Sequence, residues 1–336
     1  MIHKFQLNGY NLVLDVNSGA VHVFDDLSYE MLDYLKPPMA VECPSNILKV
    51  FGEKYGEETV RSVYSEILEL YNMEQLFSAD DYEQFADRMV AAPVKAMCLH
   101  IAHDCNLRCN YCFAAQGDFG GERKLMPLEI GKKAIDFLIQ NSQGRRNLEL
   151  DFFGGEPLMN FDVVKAIVAY AREQEKIYDK NFRFTITTNG LLLSDDKIDF
   201  INQEMSNVVL SIDGRKEIND QLRVRVDGSG SYDSILPKYQ RLVEKRGRDQ
   251  YYVRGTFTKY NLDFAQDVEH MYACGFDQIS IEPCVSDSEV PYALTENDLP
   301  AVYAEYERLA DNVIKHKQAG DTFNFFHFKL DLDQGP

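Results

Sequence analysis

The chain has no apolar run approaching the roughly 20 residues that a membrane-crossing helix needs. It has no secretory leader, and its seven cysteines are an odd count, which sets aside a disulfide framework. Basic residues are scarce: 35 Lys and Arg face 54 Asp and Glu, a net charge of −19. Nucleic acid is excluded as a partner, because phosphates must be neutralised to bind. These absences leave an acidic, soluble protein expected in the reducing cytoplasm, with no membrane partner. At 336 residues and 45% hydrophobic content, the chain has room for two domains with real cores.

The cysteines that are present are not scattered. Cys105, Cys109 and Cys112 stand as C-x3-C-x2-C directly after the apolar run Met97–Ala102. Taken alone the triplet fits two readings. It could hold a structural zinc with His100 or His103 as fourth ligand. It could also hold an iron–sulfur cube with one iron left open, since such a cube normally takes four thiolates. Cys43, Cys98 and Cys274 read as buried thiols rather than ligands.

The surrounding pattern separates the two readings. From about residue 95, strand-like runs occur at Lys95–Ala102, Leu148–Phe153, Phe182–Thr188, Val208–Ile212, Tyr252–Thr258 and Ile279–Glu282. Between them lie amphipathic stretches at Leu128–Gln140, Asp162–Glu175, Asp195–Glu204, Asp263–Ala273 and Glu296–Lys317. This alternation predicts an α/β fold with a parallel sheet, and six strands rather than eight predict an open, partial (β/α)6 barrel. In such barrels the chemistry sits after the C-terminal ends of the strands. There the sequence places the cysteine loop, Gly154-Gly155-Glu156-Pro157, Thr188-Asn189-Gly190, Ser211-Ile212-Asp213-Gly214 and Glu282-Pro283. Five polar motifs are thus expected at one rim, which a structural zinc does not require.

On these motifs, residues of about 95 to 318 resemble the radical S-adenosylmethionine (SAM) superfamily. The resemblance implies a [4Fe-4S] cluster on Cys105, Cys109 and Cys112, its open iron chelated by SAM. It implies that Gly154, Gly155 and Glu156 hold the SAM ammonium: the two glycines lack a Cβ, so the backbone can approach closely, and Glu156 adds negative charge near a cation. Ser211 is implied against SAM, Asn189 and Asp213 near the ribose, and Tyr111 by the adenine. Glu282–Cys284 is implied to offer backbone contacts, so that Cys284 is a neighbour and not a ligand. Arg254, inside the fifth strand, reads as pointing into the barrel toward a SAM carboxylate, since a buried arginine needs a partner. Arg223 and Arg225, on a glycine-rich loop, read as a solvated face. No general base stands out, so the catalytic residues are unassigned.

Residues 1–80 are a different object, joined through a linker at 81–94 to a barrel spanning 95–320. Asn11–Val16 and Ala20–Phe24 read as a hairpin across Asn17-Ser18-Gly19, followed by helices at Leu27–Leu35 and Glu57–Phe77. Strands followed by helices predict a small winged-helix-like module. With 5 Lys and Arg against 13 Asp and Glu in residues 1–80, DNA is not its ligand. Tyr10–Leu35 resembles the precursor-recognition element of peptide-modifying enzymes, where a leader peptide adds as an edge strand.

The chain as a whole is similar to SPASM-type maturases of ribosomally made peptides, above all the six-cysteine ("SCIFF") thioether-forming group. That resemblance implies Cys-to-Thr crosslinks in a Cys-rich precursor peptide, made by a 5′-deoxyadenosyl radical with an external one-electron reductant. Those maturases continue into a domain with auxiliary [4Fe-4S] clusters. Here no cysteine follows Cys284, and 321–336 reads as the start of such a region in a fragment. The alternatives are a sulfatase-type maturase that oxidises a Cys or Ser side chain, and a metal-containing peptide-binding chaperone.

Overall fold

The computed structural model describes residues 1–85 and 92–329. They fall into two compact units, one within Met1–Ala92 and one at Pro93–Lys329. The expected linker at 81–94 and the segment expected at 321–336 lie partly outside the described residues. No helix among the described residues is long and apolar enough to cross a membrane.

The first unit is a three-stranded antiparallel sheet, β1 (Ile2–Leu7), β2 (Tyr10–Asp15) and β3 (Val21–Phe24), in that order. Three helices follow: α1 (Asp26–Met31), α2 (Ser45–Tyr55) and α3 (Glu57–Asn72). The sequence reading had neither β1 nor α2. β1 pairs with β2 across Asn8-Gly9, whose φ values of 50° and 80° are those of a type I′ hairpin turn. The Asn17–Gly19 turn is also present, closed by Gly19 N–H donating to the Asp15 carbonyl (2.9 Å). Asp15 is fully buried, and its carboxylate accepts from the amides of Asn17, Ser18 and Ser78. α3 ends five residues earlier than its hydrophobic spacing suggests, because Glu74 and Phe77 adopt left-handed φ angles of 58° and 53°. Val60, Val63, Tyr64 and Ile67 form its buried face, against Val13, Met31, Ile47 and Phe51.

The second unit is built on six parallel strands: β4 (Ala96–His103), β6 (Asn147–Gly154), β7 (Asn181–Thr188), β8 (Asn207–Ser211), β9 (Tyr251–Phe257) and β10 (Gln278–Pro283). Two short edge strands complete a sheet of order β11-β10-β9-β8-β7-β6-β4-β5. β5 (Lys124–Leu125) is antiparallel to β4, and β11 (Asn324–Phe325) is parallel to β10. Helices α4 (Leu128–Asn141), α5 (Phe161–Tyr178), α6 (Asp195–Glu204), α7 (Lys216–Leu222), α8 (Tyr232–Lys245), α9 (Phe264–Ala273) and α10 (Leu299–Ala319) connect the strands. α7 and α8 have no counterpart in the sequence reading, and α8 carries Pro237 in its interior, normally a helix-breaking signal.

Each central strand has two unlike faces. Leu148, Leu150 and Phe152 of β6, and Phe182, Phe184 and Ile186 of β7, lie in the core with residues of the covering helices. The alternate positions are polar: Asp151 pairs in register with Cys98 on one side and Thr185 on the other, and Ser211 with Arg254. A full barrel fills its interior with branched apolar side chains. This open sheet instead lines its inner face with polar groups, and Cys98, expected to be buried, is exposed there.

Candidate active site

At the C-terminal ends of the strands a cavity of roughly 400 Å³ opens. Its lining includes Cys105, Cys109 and Cys112, Tyr111, Gly154, Gly155, Glu156, Asn189, Ser211, Arg254, Glu282 and Cys284. Of the residues implied to hold the cluster or SAM, Asp213 alone is absent from this lining. A comparable cavity of roughly 460 Å³ lies at the opposite strand ends, lined by Arg183, Asn207 and Gln278 among others, and holds none of these motifs.

The cysteine loop is clamped from both sides. The loop after β6 presses on it so closely that a Cβ on Gly154 would meet the Ala102 carbonyl at 2.5 Å. One on Gly155 would meet the Asp104 carbonyl at 2.1 Å. Gly154 also has φ +124°, a conformation that side chains resist. The close approach that these glycines permit is therefore first to the protein's own backbone. Gly155 N–H donates to Ala102 (2.7 Å) and Glu156 N–H to Asp104 (2.9 Å). From the other side, the strap at 222–231 closes on the loop: Arg108 N–H donates to Val224 (2.7 Å), Asn110 N–H to Leu222 (2.9 Å), and Leu107 bridges Arg225.

Glu156 is fully buried, and burial raises its pKa above the ordinary carboxylate value. Its carboxylate accepts from Leu158 N–H (3.0 Å), Thr188 Oγ1 (2.8 Å) and Asn189 N–H (2.8 Å). It ties the loop after β6 to the loop after β7. Asn189 in turn directs its side-chain amide at Asn106 Oδ1 (2.7 Å) and at Cys105 Sγ (3.5 Å).

A second buried group underlies the cysteine wall. Tyr111 Oη donates to both carboxylate oxygens of Asp213 (2.9 and 2.7 Å), and Arg223 donates to Tyr111 Oη and pairs with Asp213 (3.3 Å). Thr256 N–H gives Asp213 a further bond (3.0 Å). With both oxygens engaged and no exposure, Asp213 supports the wall rather than facing the cavity, which corrects its expected place beside a ribose. Arg223 corrects another reading: it is buried beside the cavity, not solvated, because Asp213 balances its charge. Arg225 is half-buried and donates to Ser234 Oγ. Nothing in the glycine-rich sequence around Arg223 signals its burial, since its partner lies on a strand end ten residues earlier.

Arg254 does line the cavity, where it pairs with Glu282 of the neighbouring strand. Cys284 is buried at the same rim, and its amide donates to the Phe257 carbonyl (2.8 Å).

Burial pushes the Cys105 thiol up to about 11 and the Cys109 thiol up to about 12. Among the described residues no three His, Cys, Asp or Glu side chains gather closely enough to hold a single ion. The three thiols nevertheless line one cavity. That arrangement fits a cluster that takes its ligands around a cube and leaves one iron open.

The radical SAM superfamily matches residues 99–269, half of the chain. Among similar proteins, the radical SAM cyclopropyl synthase TigE of Paramaledivibacter caminithermalis is 22% identical over 77% of this chain and 58% of its own. The cysteine-type anaerobic sulfatase-maturating enzyme of Clostridium novyi is 24% identical over 58% of this chain and 54% of its own. The solved structure of anSMEcpe with bound AdoMet and Kp18Cys peptide superimposes with a TM-score of 0.62 at 18% identity. It covers 70% of this chain and 64% of that one, a likeness of fold. The chain spans less than two thirds of the length of each of these proteins.

Proposed function

Because the chain belongs to the radical SAM superfamily, we propose that it modifies a ribosomally made, Cys-rich precursor peptide in the cytoplasm, forming Cys-to-Thr thioether crosslinks. The observation that carries the reading is the convergence of three thiols, the glycine pair and four further strand ends on one cavity. When bound, a [4Fe-4S] cluster and SAM would supply a 5′-deoxyadenosyl radical, given an electron from an external reductant. Cys105, Cys109 and Cys112 would hold the cluster as thiolates, releasing their protons as it binds. The backbone of Gly154 and Gly155 shapes the wall where SAM would lie, and Ser211 and Asn189 offer it polar contacts. Arg223, held in place by Tyr111 and Asp213, sets a carboxylate-paired guanidinium in the cavity wall. Arg254 and Glu282 present a paired charge at the open side, where a peptide can exchange with either partner.

Residues 1–80 act as a winged-helix-like docking module in this reading. The leader of the peptide would add beside β3, an edge strand whose Val23 is exposed. A second reading, oxidation of a single Cys or Ser side chain, draws support from the similarity to a cysteine-type sulfatase-maturating enzyme.

Anaerobic incubation with SAM and a strong reductant is the first test. Wild-type protein should release 5′-deoxyadenosine, and the triple change of Cys105, Cys109 and Cys112 to Ala should abolish both cluster and cleavage. Stoichiometric zinc without sulfide would refute the site. Mass spectrometry of the peptide then separates the readings. Loss of two hydrogens with protection of one thiol from alkylation supports the thioether. A product whose thiols all alkylate, or one carrying a new methyl group, refutes it.

A further inference from the structure

Away from the cofactor cavity, three side chains with metal-binding atoms meet between α8 and α9. His270 and Cys274 lie four residues apart at the C-terminal end of α9 and so share a face. Tyr232 is the first residue of α8. Its Oη lies 2.6 Å from His270 Nε2 and 3.6 Å from Cys274 Sγ, and Sγ lies 3.6 Å from Nε2. An imidazole nitrogen, a sulfur and a phenol oxygen thus form a closed triangle.

The size of the triangle is informative. With Zn–S near ~2.3 Å and Zn–N near ~2.0–2.1 Å, neighbouring ligand atoms of a tetrahedral site stand roughly 3.3–3.6 Å apart. Both sides that end on sulfur already have that length. The third is a hydrogen bond, which needs to open by under ~1 Å when the metal replaces its proton. Tyr232 is buried, while His270 and Cys274 keep some exposure, which leaves a route for an ion from solvent. Asp220 and Asp233 lie near the Tyr232 phenol, and Lys216, which pairs with both, stands over its ring at 6.0 Å from the centroid. The donor set of nitrogen, sulfur and one oxygen excludes magnesium and calcium, which take oxygen, and suits a borderline-soft ion.

We propose that His270, Cys274 and Tyr232 bind a zinc-like divalent cation, independently of the cysteine cavity. Its position gives it a structural consequence. Tyr232 follows directly on the strap at 222–231, whose end is held by Asp220 accepting from the amides of Ser231 and Tyr232 (2.8 Å each). An ion there ties the strap's anchor to α9 and so supports the cover of the cysteine loop. Binding expels the thiol proton, so affinity rises with pH.

The test uses cluster-loaded protein prepared anaerobically and cleared of loose metal with a chelator. Zn²⁺ alone is titrated in, excess is removed by gel filtration, and zinc and iron are counted together. The expected result is about one zinc per chain with no loss of iron, and a raised melting temperature. Cys274→Ser and His270→Ala should each weaken binding by roughly tenfold or more, and Tyr232→Phe by less. Iron content and circular dichroism of each variant report whether it folded. For any variant that does not fold, zinc-edge absorption of the wild type decides. One sulfur with nitrogen and oxygen neighbours supports the site, and two or more sulfurs refute it. Failure to retain zinc, zinc gained only as iron is lost, or unchanged binding in folded Cys274→Ser and His270→Ala variants would overturn the proposal. None of these outcomes depends on which peptide, if any, the enzyme modifies.

Discussion

The two units of this chain present function in opposite ways. In the second unit, chemistry is carried by side chains that hold each other: Glu156 joins two loops, and Asp213, Tyr111 and Arg223 form a closed buried group. In the first unit, the docking feature proposed above is an edge of main chain, β3, where the exposed Val23 side chain is not packed in the core. A change to one side chain should therefore be severe in the second unit and mild in the first.

The largest contrast is expected at Arg223. Its replacement by Met leaves Asp213 buried beside a neutral tyrosine, and breaking a buried pair this way costs about 3–5 kcal/mol. Denaturant unfolding of the second unit should show that loss, and Asp213→Asn in the same chain should recover most of it. A single variant as stable as wild type would show that the pair contributes little. In the first unit, Val23→Asp places a charge on an exposed strand position, where the stability change stays within about 0.5 kcal/mol. It should leave SAM cleavage without peptide unchanged yet weaken binding of a synthetic leader several-fold by calorimetry. Unchanged leader affinity would exclude β3 as the docking edge.

The smallest effect concerns pH, and here the units should diverge in sign. His316 lies between Asp321 (2.7 Å) and Glu269 (3.2 Å); burial opposes its charge, but the two carboxylates prevail and raise its pKa above 6.5. Its contribution is complete below the unfolded value and is lost as pH rises through the raised folded one. Asp15 behaves oppositely. Burial opposes its ionisation, yet bonds from Ser78 and Ser18 hold it below 3.8, so its contribution is present above that value and lost as pH falls. Hydrogen exchange should therefore show the segment 316–323 loosening toward alkaline pH and the Asn17–Ser18 turn loosening toward acid. Parallel responses in the two segments would contradict both assignments.

The same division explains what could be read from the sequence. All six central strands lie within one residue of their predicted runs, because the face packed under helices puts apolar side chains at alternate positions, as in Leu148, Leu150 and Phe152. The cavity motifs were legible because glycine pairs and cysteine triplets are rare combinations with few structural uses. β1 was missed although Asn8-Gly9 is a strong hairpin signal, since its own residues, IHKFQL, alternate weakly. α8 was hidden by Pro237, whose cost is outweighed by burial of Ile235, Tyr239, Leu242 and Val243. Arg223 and Asp213 were misplaced for a different reason: each is explained only by the other, and pairing across a fold leaves no local pattern.

The bridge between Leu107 and Arg225 also has a meaning in time. The wall of the cysteine cavity is completed by residues made more than a hundred positions after the first cysteine. During synthesis the three thiols leave the ribosome long before their cover exists, bare to any oxidant or stray metal. The finished wall around Cys105, Cys109 and Cys112 therefore exists only once the strap at 222–231 has been made and folded back.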